Sequence, residues 1–455
     1  MSLKYFGTDG IRGKYGSSVL NESIAFRAGR SAAKAAKRMY GIDTPLLLIG
    51  RDTRASGESL EKAIAAGFKV EGGRVVSLGI APTPAVAKMT QASEASLGCS
   101  VTASHNPSCD NGIKFFQSEG VKPSEALEIE LDDGVGAADD AGWPMEGESE
   151  IESLESRYDQ LVIEAFEKGF LRGKRIALDC ANGAMAKVAP GVFEALGAEV
   201  VAIATEPDGE NINDGVGSEH PEALLKVLEA GSFDMAFAFD GDGDRVMAFD
   251  ESGIKLSGEA VIALLAIDAK AHGELSKDVL VTTVQSNLGL DAAMAHKGIG
   301  VERVDVGDKH LSRRMIADGY NVGGEESGHL VLGEFSMTGD GLYAALRIAQ
   351  SVVRSRRALS SWSADYEAFP LESKAVWVKA KPPLETCSSL QKAIGELENE
   401  LGEDGRLLIR YSGTEPKLRL LVEAKSAGQA SEAMNRLLDA LEQDSIVEEG
   451  QLAKA

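Results

Sequence analysis

The chain is poor in the residues that mark several specialised classes of protein. Its 455 residues include 4 cysteines, 6 histidines and 3 tryptophans, and aromatic residues make up 5%. Cys99, Cys109, Cys180 and Cys387 form no CxxC pair and have no histidine at zinc-ligand spacing, which excludes a disulfide scaffold and a structural zinc site. Only Cys99 and Cys109 are near enough in sequence to leave a contact between them open. No apolar run approaches the ~20 residues of a membrane helix. The longest, Ala260 to Ile267, is followed by Asp268 and Lys270. The opening residues Met1 to Tyr5 lack the apolar core of a secretory signal, so a cytoplasmic location with reduced thiols is expected. Positive charge is also scarce: 47 Lys and Arg against 71 Asp and Glu, a net charge of −24. That balance argues against nucleic acid and anionic membrane as partners. An anionic ligand would need basic side chains concentrated in particular loops.

The length implies several domains. Strand and helix patterns alternate from the "PLLLIG" run at Pro45–Gly50 onward, restart at "RIALDCANGA" (Arg175–Ala184), and restart again at the helix Gly258–Ala271. An acid-rich stretch from Glu125 to Glu155 reads as a surface helix and a linker. The last hundred residues give strand, helix, two strands and an amphipathic helix, the order of a small α+β domain. The fold class predicted is therefore α/β: three similar α/β domains (1–154, 155–252 and 253–366) and a smaller C-terminal α+β domain (367–455), around a central cleft. No short sequence repeat is visible.

Four polar, glycine-rich loops carry the chemistry. In "TASHNP", Pro107 stiffens a turn that displays the Ser104 hydroxyl. In "DGDGDR", Asp240, Asp242 and Asp244 alternate with glycines, a spacing that folds three hard oxygen ligands around one divalent cation. A calcium EF-hand shares part of that pattern, but Arg245 stands where it needs glycine and the flanks read as strands. "GGEESGH" presents Glu325, Glu326, Ser327 and His329, groups able to read sugar hydroxyls or an amine. "RYSGTEPKLR" offers Ser412, Thr414 and the Gly413 amide between Arg410, Lys417 and Arg419, a phosphate cradle in an otherwise acidic chain. Plain alternatives are an ordinary turn, a solvated acidic turn and a basic-flanked hairpin. Arg12 lies among glycines in "YFGTDGIRG", and Lys114 in "CDNGIKFF" offers a charge or proton carrier. Lys309 and His310 in "VGDKHL" add a phosphate contact, while Arg51 and Arg54 lie in "GRDTRASG", where surface salt bridging is the expectation for Arg54.

Taken together, these loops resemble the α-D-phosphohexomutase superfamily, in family order and from Tyr5 to about Leu441. Within it, "YFGTDGIRG", "DNGIKFF", "DCANGA", Asn211–Asn213 with His220–Glu222, "DGDGDR" and "SGTEPKLR" are most similar to the bacterial phosphoglucosamine mutases. Glu326 stands where those carry Gln, and Lys309 where Arg is common. The resemblance implies that Ser104, as phosphoserine, exchanges its phosphoryl group with a hexosamine phosphate through a 1,6-bisphosphate. Asp240, Asp242, Asp244 and the Ser104 phosphate would hold Mg²⁺, with Arg12, Lys114 and Arg245 beside the transferring group and Lys114 giving acid/base help. Glu325, Ser327 and His329 would meet the sugar. Arg410, Ser412, Gly413 and Thr414 would hold the other phosphate, with Arg419 in the same loop and Lys309 as a further phosphate contact. Glucosamine 1,6-bisphosphate (or glucose 1,6-bisphosphate) as activator, a role in amino-sugar nucleotide and cell-wall precursor synthesis, and a homodimer are further implications. Alternatives are a phosphomannomutase/phosphoglucomutase acting on mannose or glucose phosphates, a phosphatase or phosphotransferase, and a non-catalytic sugar-phosphate sensor.

Overall fold

Buried β-branched and leucine-rich runs pair in the middle of each sheet, and helices with one apolar face cover them. A computed structural model describes residues 3–7, 9–136, 152–154, 156–412 and 415–447. The first sheet contains β1 (Ile11–Lys14), β2 (Leu46–Arg51), β3 (Arg74–Ile80), β4 (Leu97–Val101), β5 (Asp110–Gln117) and β6 (Glu152–Ser153), in the order β1-β5-β4-β2-β3-β6. The second has β7 (Arg175–Asp179), β8 (Glu199–Ile203), β9 (Met235–Phe239) and β10 (Val246–Phe249), ordered β10-β9-β7-β8. The third has β11 (Val279–Thr283), β12 (Gly300–Val304), β13 (Val322–Gly324) and β14 (Leu330–Leu332), ordered β12-β11-β13-β14.

All three sheets share one four-strand plan. A first strand has parallel neighbours on both sides, and the fourth strand turns back antiparallel beside the third: β2 to β5, β7 to β10 and β11 to β14. The repeat absent from the sequence is thus present in the topology, and the expectation of three similar α/β domains is met. The fourth sheet, β15 (Leu371–Trp377), β16 (Gly405–Tyr411) and β17 (Lys417–Ala424), is antiparallel throughout. Its core is shared with the C-terminal helices, through Leu390, Leu397, Met434, Leu437 and Leu441. Contacts divide the chain into one unit of residues 1–285 and 297–365 and another of residues 286–296 and 366–455. In the second unit, the Leu288 amide is tied to Glu423 at 2.9 Å.

In the first unit, α1 (Glu22–Tyr40) starts where the Asn21 side chain accepts from the Ile24 amide and ends at Gly41 in the left-handed region. It crosses α2 (Gly57–Val70) with backbone almost on backbone: a Cβ on Gly29 would lie 2.1 Å from the Ile64 carbonyl oxygen, and one on Gly67 would lie 1.9 Å from that of Phe26. The helix α3 (Thr83–Gln91) follows β3, and α4 (Glu125–Gly136) packs against α1. The acid-rich α4 is not the plain surface helix expected. Leu127, Leu131 and Val135 are buried, and Asp132 accepts from the Lys4, Tyr5 and Phe6 amides at 2.9, 2.6 and 2.8 Å. The few aromatic side chains are concentrated: Phe335 stacks on Tyr343 at 4.3 Å, with Phe166 5.2 Å from Tyr343. Cys99 is buried, Cys109 exposed, and both are free thiols. Among the described residues no helix is long and apolar enough to cross a membrane.

The α1–α2 crossing can be tested with one methyl group. Gly67→Ala should lose about 1–3 kcal/mol in urea unfolding through overpacking against a backbone carbonyl. Gly191→Ala, in a helix where a Cβ meets nothing within 4 Å, is the control and should gain up to about 1 kcal/mol. Equal responses would show that the crossing relaxes freely.

Candidate active site

The shared plan puts a short loop at the same place in each sheet, where the third strand hands over to the antiparallel fourth. Between β4 and β5 that loop carries Ser104, between β9 and β10 it carries Asp240, Asp242 and Asp244, and between β13 and β14 it carries Glu325 to His329. The carboxyl ends of parallel strands are where open α/β sheets present side chains to ligands. The three loops touch. Ser104 Oγ donates to Asp240 Oδ2 at 2.6 Å, and a Cβ on Gly241 would lie 2.7 Å from the Ser104 carbonyl oxygen. Arg245 and His329 form a backbone bridge, and the Val246 amide donates to the Gly328 carbonyl at 3.1 Å.

Asp240, Asp242 and Asp244 are buried, and one carboxylate oxygen from each lies within 4.8 Å of the others. Burial, with Asp242 and Asp244 alongside, raises the Asp240 pKa well above the usual carboxylate range. Burial acts on Asp244 in the same sense, but Lys114, His329 and Arg245 together hold its carboxyl well below that range. The compensating cation is Lys114, with Nζ 2.9 Å from Asp242, 3.4 Å from Asp244 and 2.9 Å from Asp9. Burial alone would lower its pKa; the carboxylates of Asp242, Asp9 and Asp244 outweigh that and keep it an ammonium. Arg245 lies 3.9 Å from Asp244, and Arg12 pairs with Asp9 at 3.1 Å. Thr83 Oγ1 donates to Asp242 Oδ2 at 2.7 Å, fixing that carboxylate from α3.

Asp242 Oδ1, Asp244 Oδ1, Arg245 Nε, Ser327 Oγ and His329 Nε2 are buried without a hydrogen-bond partner. Buried polar atoms are nearly always satisfied, so their concentration on these loops marks a place built for a polar ligand. Two orphan carboxylate oxygens next to a carboxyl group that resists ionisation fit a hard divalent cation. The three aspartates could hold such a metal.

Ser104 itself sits in the left-handed region at φ 54°, a conformation a serine keeps only when its surroundings enforce it. Arg54 does much of that, and it is not on the surface as expected: it is 1% exposed. Nη2 donates to the Ser104 and Asn106 carbonyls at 3.0 and 2.8 Å, Nη1 to those of Asp110, at 2.9 Å, and Pro107, and Nε to Asp52 Oδ2 at 2.8 Å. All five N–H groups are used. Asn213 Nδ2 adds donors to the Ser104 and Asn106 carbonyls at 2.9 and 3.0 Å, and Thr102 Oγ1 accepts from the Ser104 amide at 2.9 Å.

Glu325 is buried and accepts from the Gly307 amide at 2.9 Å. Burial, with Glu325 and Glu259 nearby, raises the Glu326 pKa. Lys309 pairs with Glu128 of α4 at 3.3 Å. In the C-terminal unit, Arg410 and Arg419 face each other directly across β16 and β17, and both are exposed. Like charges opposed in a sheet are destabilising without an anion between them. Ser412 is buried beside them, and its carbonyl accepts from Lys381 at 2.6 Å. Gly413 and Thr414 lie outside the described residues. Sequence reasoning passed over Asp9, Thr83 and Lys122, and misread Arg54. Asp9 sits in the glycine-rich motif around Arg12 and was findable there; Thr83 has no local signal.

Models of the four phosphoglucomutase/phosphomannomutase domains match the chain in order: alpha/beta/alpha domain I at residues 3–140, II at 152–253, III at 257–369 and the C-terminal domain at 374–440. The chain is 40% identical to the phosphoglucosamine mutase of Delftia acidovorans over 442 residues, covering 96% of this chain and 98% of that one. It is 39% identical to that of Bacillus subtilis over 450 residues, covering 98% and 100%. Among solved structures, a phosphoglucomutase/phosphomannomutase family protein from Burkholderia thailandensis superposes with a TM-score of 0.80 at 21% identity, covering 100% of both chains. The Aspergillus fumigatus N-acetylphosphoglucosamine mutase, in complex with GlcNAc-6P and magnesium, has a TM-score of 0.67 at 17% identity, covering 98% of this chain and 96% of that one.

The support under Ser104 gives a direct test. Arg54→Met leaves Asp52 buried without its cation and several loop carbonyls without donors, and should cost about 3–5 kcal/mol in denaturant unfolding. Arg54→Lys should recover little of that, because an ammonium cannot span the same carbonyls. A loss below about 1 kcal/mol in Arg54→Met would mean that Asn213 and Thr102 suffice.

Proposed function

Since the chain belongs to the phosphoglucomutase/phosphomannomutase family, we propose that it interconverts glucosamine 6-phosphate and glucosamine 1-phosphate by relaying a phosphoryl group through Ser104. The observation that carries this reading is the 2.6 Å contact between Ser104 Oγ and Asp240, inside a group of three buried aspartates and a buried lysine. Relatives about 40% identical over nearly the whole chain bear the name phosphoglucosamine mutase, which supports the amino sugar as substrate. Under this reading the α/β domains run 1–154, 155–252 and 253–366 and the C-terminal domain 367–455, and the protein is a cytoplasmic homodimer.

In the first half-reaction the phosphoserine P–Oγ bond breaks as a bond forms from phosphorus to the free sugar hydroxyl. The electron pair returns to Ser104 Oγ, and the proton given up by the sugar hydroxyl ends there. In the resting serine that proton is donated to Asp240. The 1,6-bisphosphate then turns over, and Ser104 Oγ takes the other phosphoryl group while its proton passes to the freed sugar oxygen. Lys114, held as an ammonium by its carboxylate neighbours, places positive charge beside the transferring group, with Arg12 and Arg245, and gives acid/base help there. Mg²⁺ held by Asp240, Asp242, Asp244 and the serine phosphate would neutralise charge on the phosphoryl oxygens. Glu325, Ser327 and His329 read the sugar. Arg410, Ser412, Gly413, Thr414 and Arg419 hold the phosphate that is not reacting, and Lys309 offers a further phosphate contact.

The test is a mutase assay with Mg²⁺ and a trace of glucosamine 1,6-bisphosphate, run on the 1- and 6-phosphates of glucosamine, glucose and mannose. The expected result is turnover that favours the glucosamine phosphates, lost in Ser104→Ala and on chelation of the metal. A preference for glucose or mannose phosphates would move the chain to the phosphoglucomutase/phosphomannomutase activity, and no turnover of any sugar would sink the mutase reading. Arg410→Ala should raise KM for both monophosphate isomers alike; an unchanged KM would remove the cradle from the mechanism.

A further inference from the structure

One buried cation next to the candidate site is not used by the chemistry above. Lys122 lies just beyond β5, on a turn held at several points: Gln117 accepts from the Ser124 amide at 2.7 Å, the Gly120 carbonyl accepts from Thr338 Oγ1 at 2.8 Å, and the Pro123 carbonyl accepts from Arg313 at 2.8 Å. Its side chain is 8% exposed, and Nζ sits between two carboxylates from distant parts of the chain. One is Asp9, with which it makes a direct ion pair, and the other is Asp308, at 2.5 Å. The side chains of Lys122 and Asp308 are 8% and 13% exposed and that of Asp9 is 23% exposed, so water screens these charges only in part.

Each carboxylate leads to a different end of the site. Asp9 holds Lys114 at 2.9 Å through Oδ2, and Lys114 in turn holds Asp242 at 2.9 Å. Asp308 begins the helix Asp308–Asp318; the amide of the preceding residue, Gly307, donates to Glu325 at 2.9 Å, and Asp308 Oδ2 lies 4.0 Å from His329 Nε2. The result is one continuous chain of contacts, from the aspartate loop through Lys114, Asp9, Lys122 and Asp308 to the loop carrying Glu325.

We propose that Lys122 is a positioning residue that couples the orientation of Lys114 to that of the Glu325 loop, by joining Asp9 to Asp308. The assignment of the two ends to phosphoryl transfer and sugar reading rests on the mutase reading. Removing the ammonium leaves Asp9 and Asp308 without the charge that stands between them. Asp9 then loses the partner that opposes its pull on Lys114, and Asp308, next to Gly307 and 4.0 Å from His329 Nε2, loses its cation. Displacement at the Lys114 end falls on kcat, and displacement at the Glu325 end falls on KM.

The experiment is steady-state kinetics on the full-length protein with glucosamine 6-phosphate, comparing the parent with Lys122→Met, Lys122→Arg, Asp308→Asn and the Lys122→Met/Asp308→Asn double variant, each with a melting curve. Lys122→Met should lower kcat on the order of 10²-fold, as expected when a catalytic group shifts by about an ångström. It should also raise KM several-fold. Lys122→Arg, which keeps the charge, should recover most of both. Asp308→Asn should mainly raise KM, and adding it to Lys122→Met should change kcat/KM by less than about 2-fold, because the two residues form one link. Kinetics of Lys122→Met within about 2-fold of the parent, whatever its melting temperature, or losses that multiply in the double variant, would overturn the coupling. If Lys122→Met does not fold, Asp308→Asn decides: parent-like kinetics overturn the coupling and a raised KM supports it. A parent inactive on every sugar phosphate overturns the mutase reading and the relay together, whereas an active parent with an unaffected Lys122→Met overturns the relay alone.

Discussion

Three carboxylates held within 4.8 Å of one another, almost out of reach of water, set the terms for everything around them. Unneutralised, such a cluster would resist ionisation, and Asp240 does. The chain answers with buried cations, each anchored by a further carboxylate: Lys114 to Asp9, and Lys122 to Asp9 and Asp308. The alternation of charge extends outward from the aspartate loop into two other loops. In an acidic protein, this places positive charge at a few interior positions beside the carboxylates that need it.

The repeated four-strand plan explains why these loops meet at all. Each sheet contributes one loop from the same point in its topology, and the three have diverged in content: a hydroxyl in the first, carboxylates in the second, a glutamate, a serine and a histidine in the third. The polypeptide between them differs so much in sequence that only hydrogen-bonded register exposes the repeat. The close α1–α2 crossing at Gly29 and Gly67 has no counterpart in the sequence reading either, because helix periodicity reports which face is apolar and not how near two backbones approach.

What could be read from the sequence was local. Glycines alternating with Asp240, Asp242 and Asp244 announce a ligand loop without reference to any other part of the chain, and the arginines flanking Ser412 do the same. What escaped depends on partners far away along the chain. Arg54 looks like any surface arginine until four bonds from its guanidinium are traced to carbonyls of Ser104, Asn106, Pro107 and Asp110, some fifty residues on. Lys122, next to a proline in a polar turn, acquires meaning only through Asp308. The acids of α4 were read by composition as solvated, whereas Asp132 and Glu128 face inward, toward backbone amides and Lys309. Composition says how much charge a segment carries; packing decides which way it points.

The enclosure of Ser104 also limits what could ever modify it. An enzyme that phosphorylates a protein serine draws the surrounding chain into its own cleft, and for that it needs an accessible, extended segment. Ser104 is 1% exposed, and its backbone is folded back on itself and fastened by Arg54 and Asn213. A macromolecular donor would first have to undo those bonds. The same bonds that hold the Ser104 loop in its left-handed turn therefore keep its backbone from being drawn out as an extended segment.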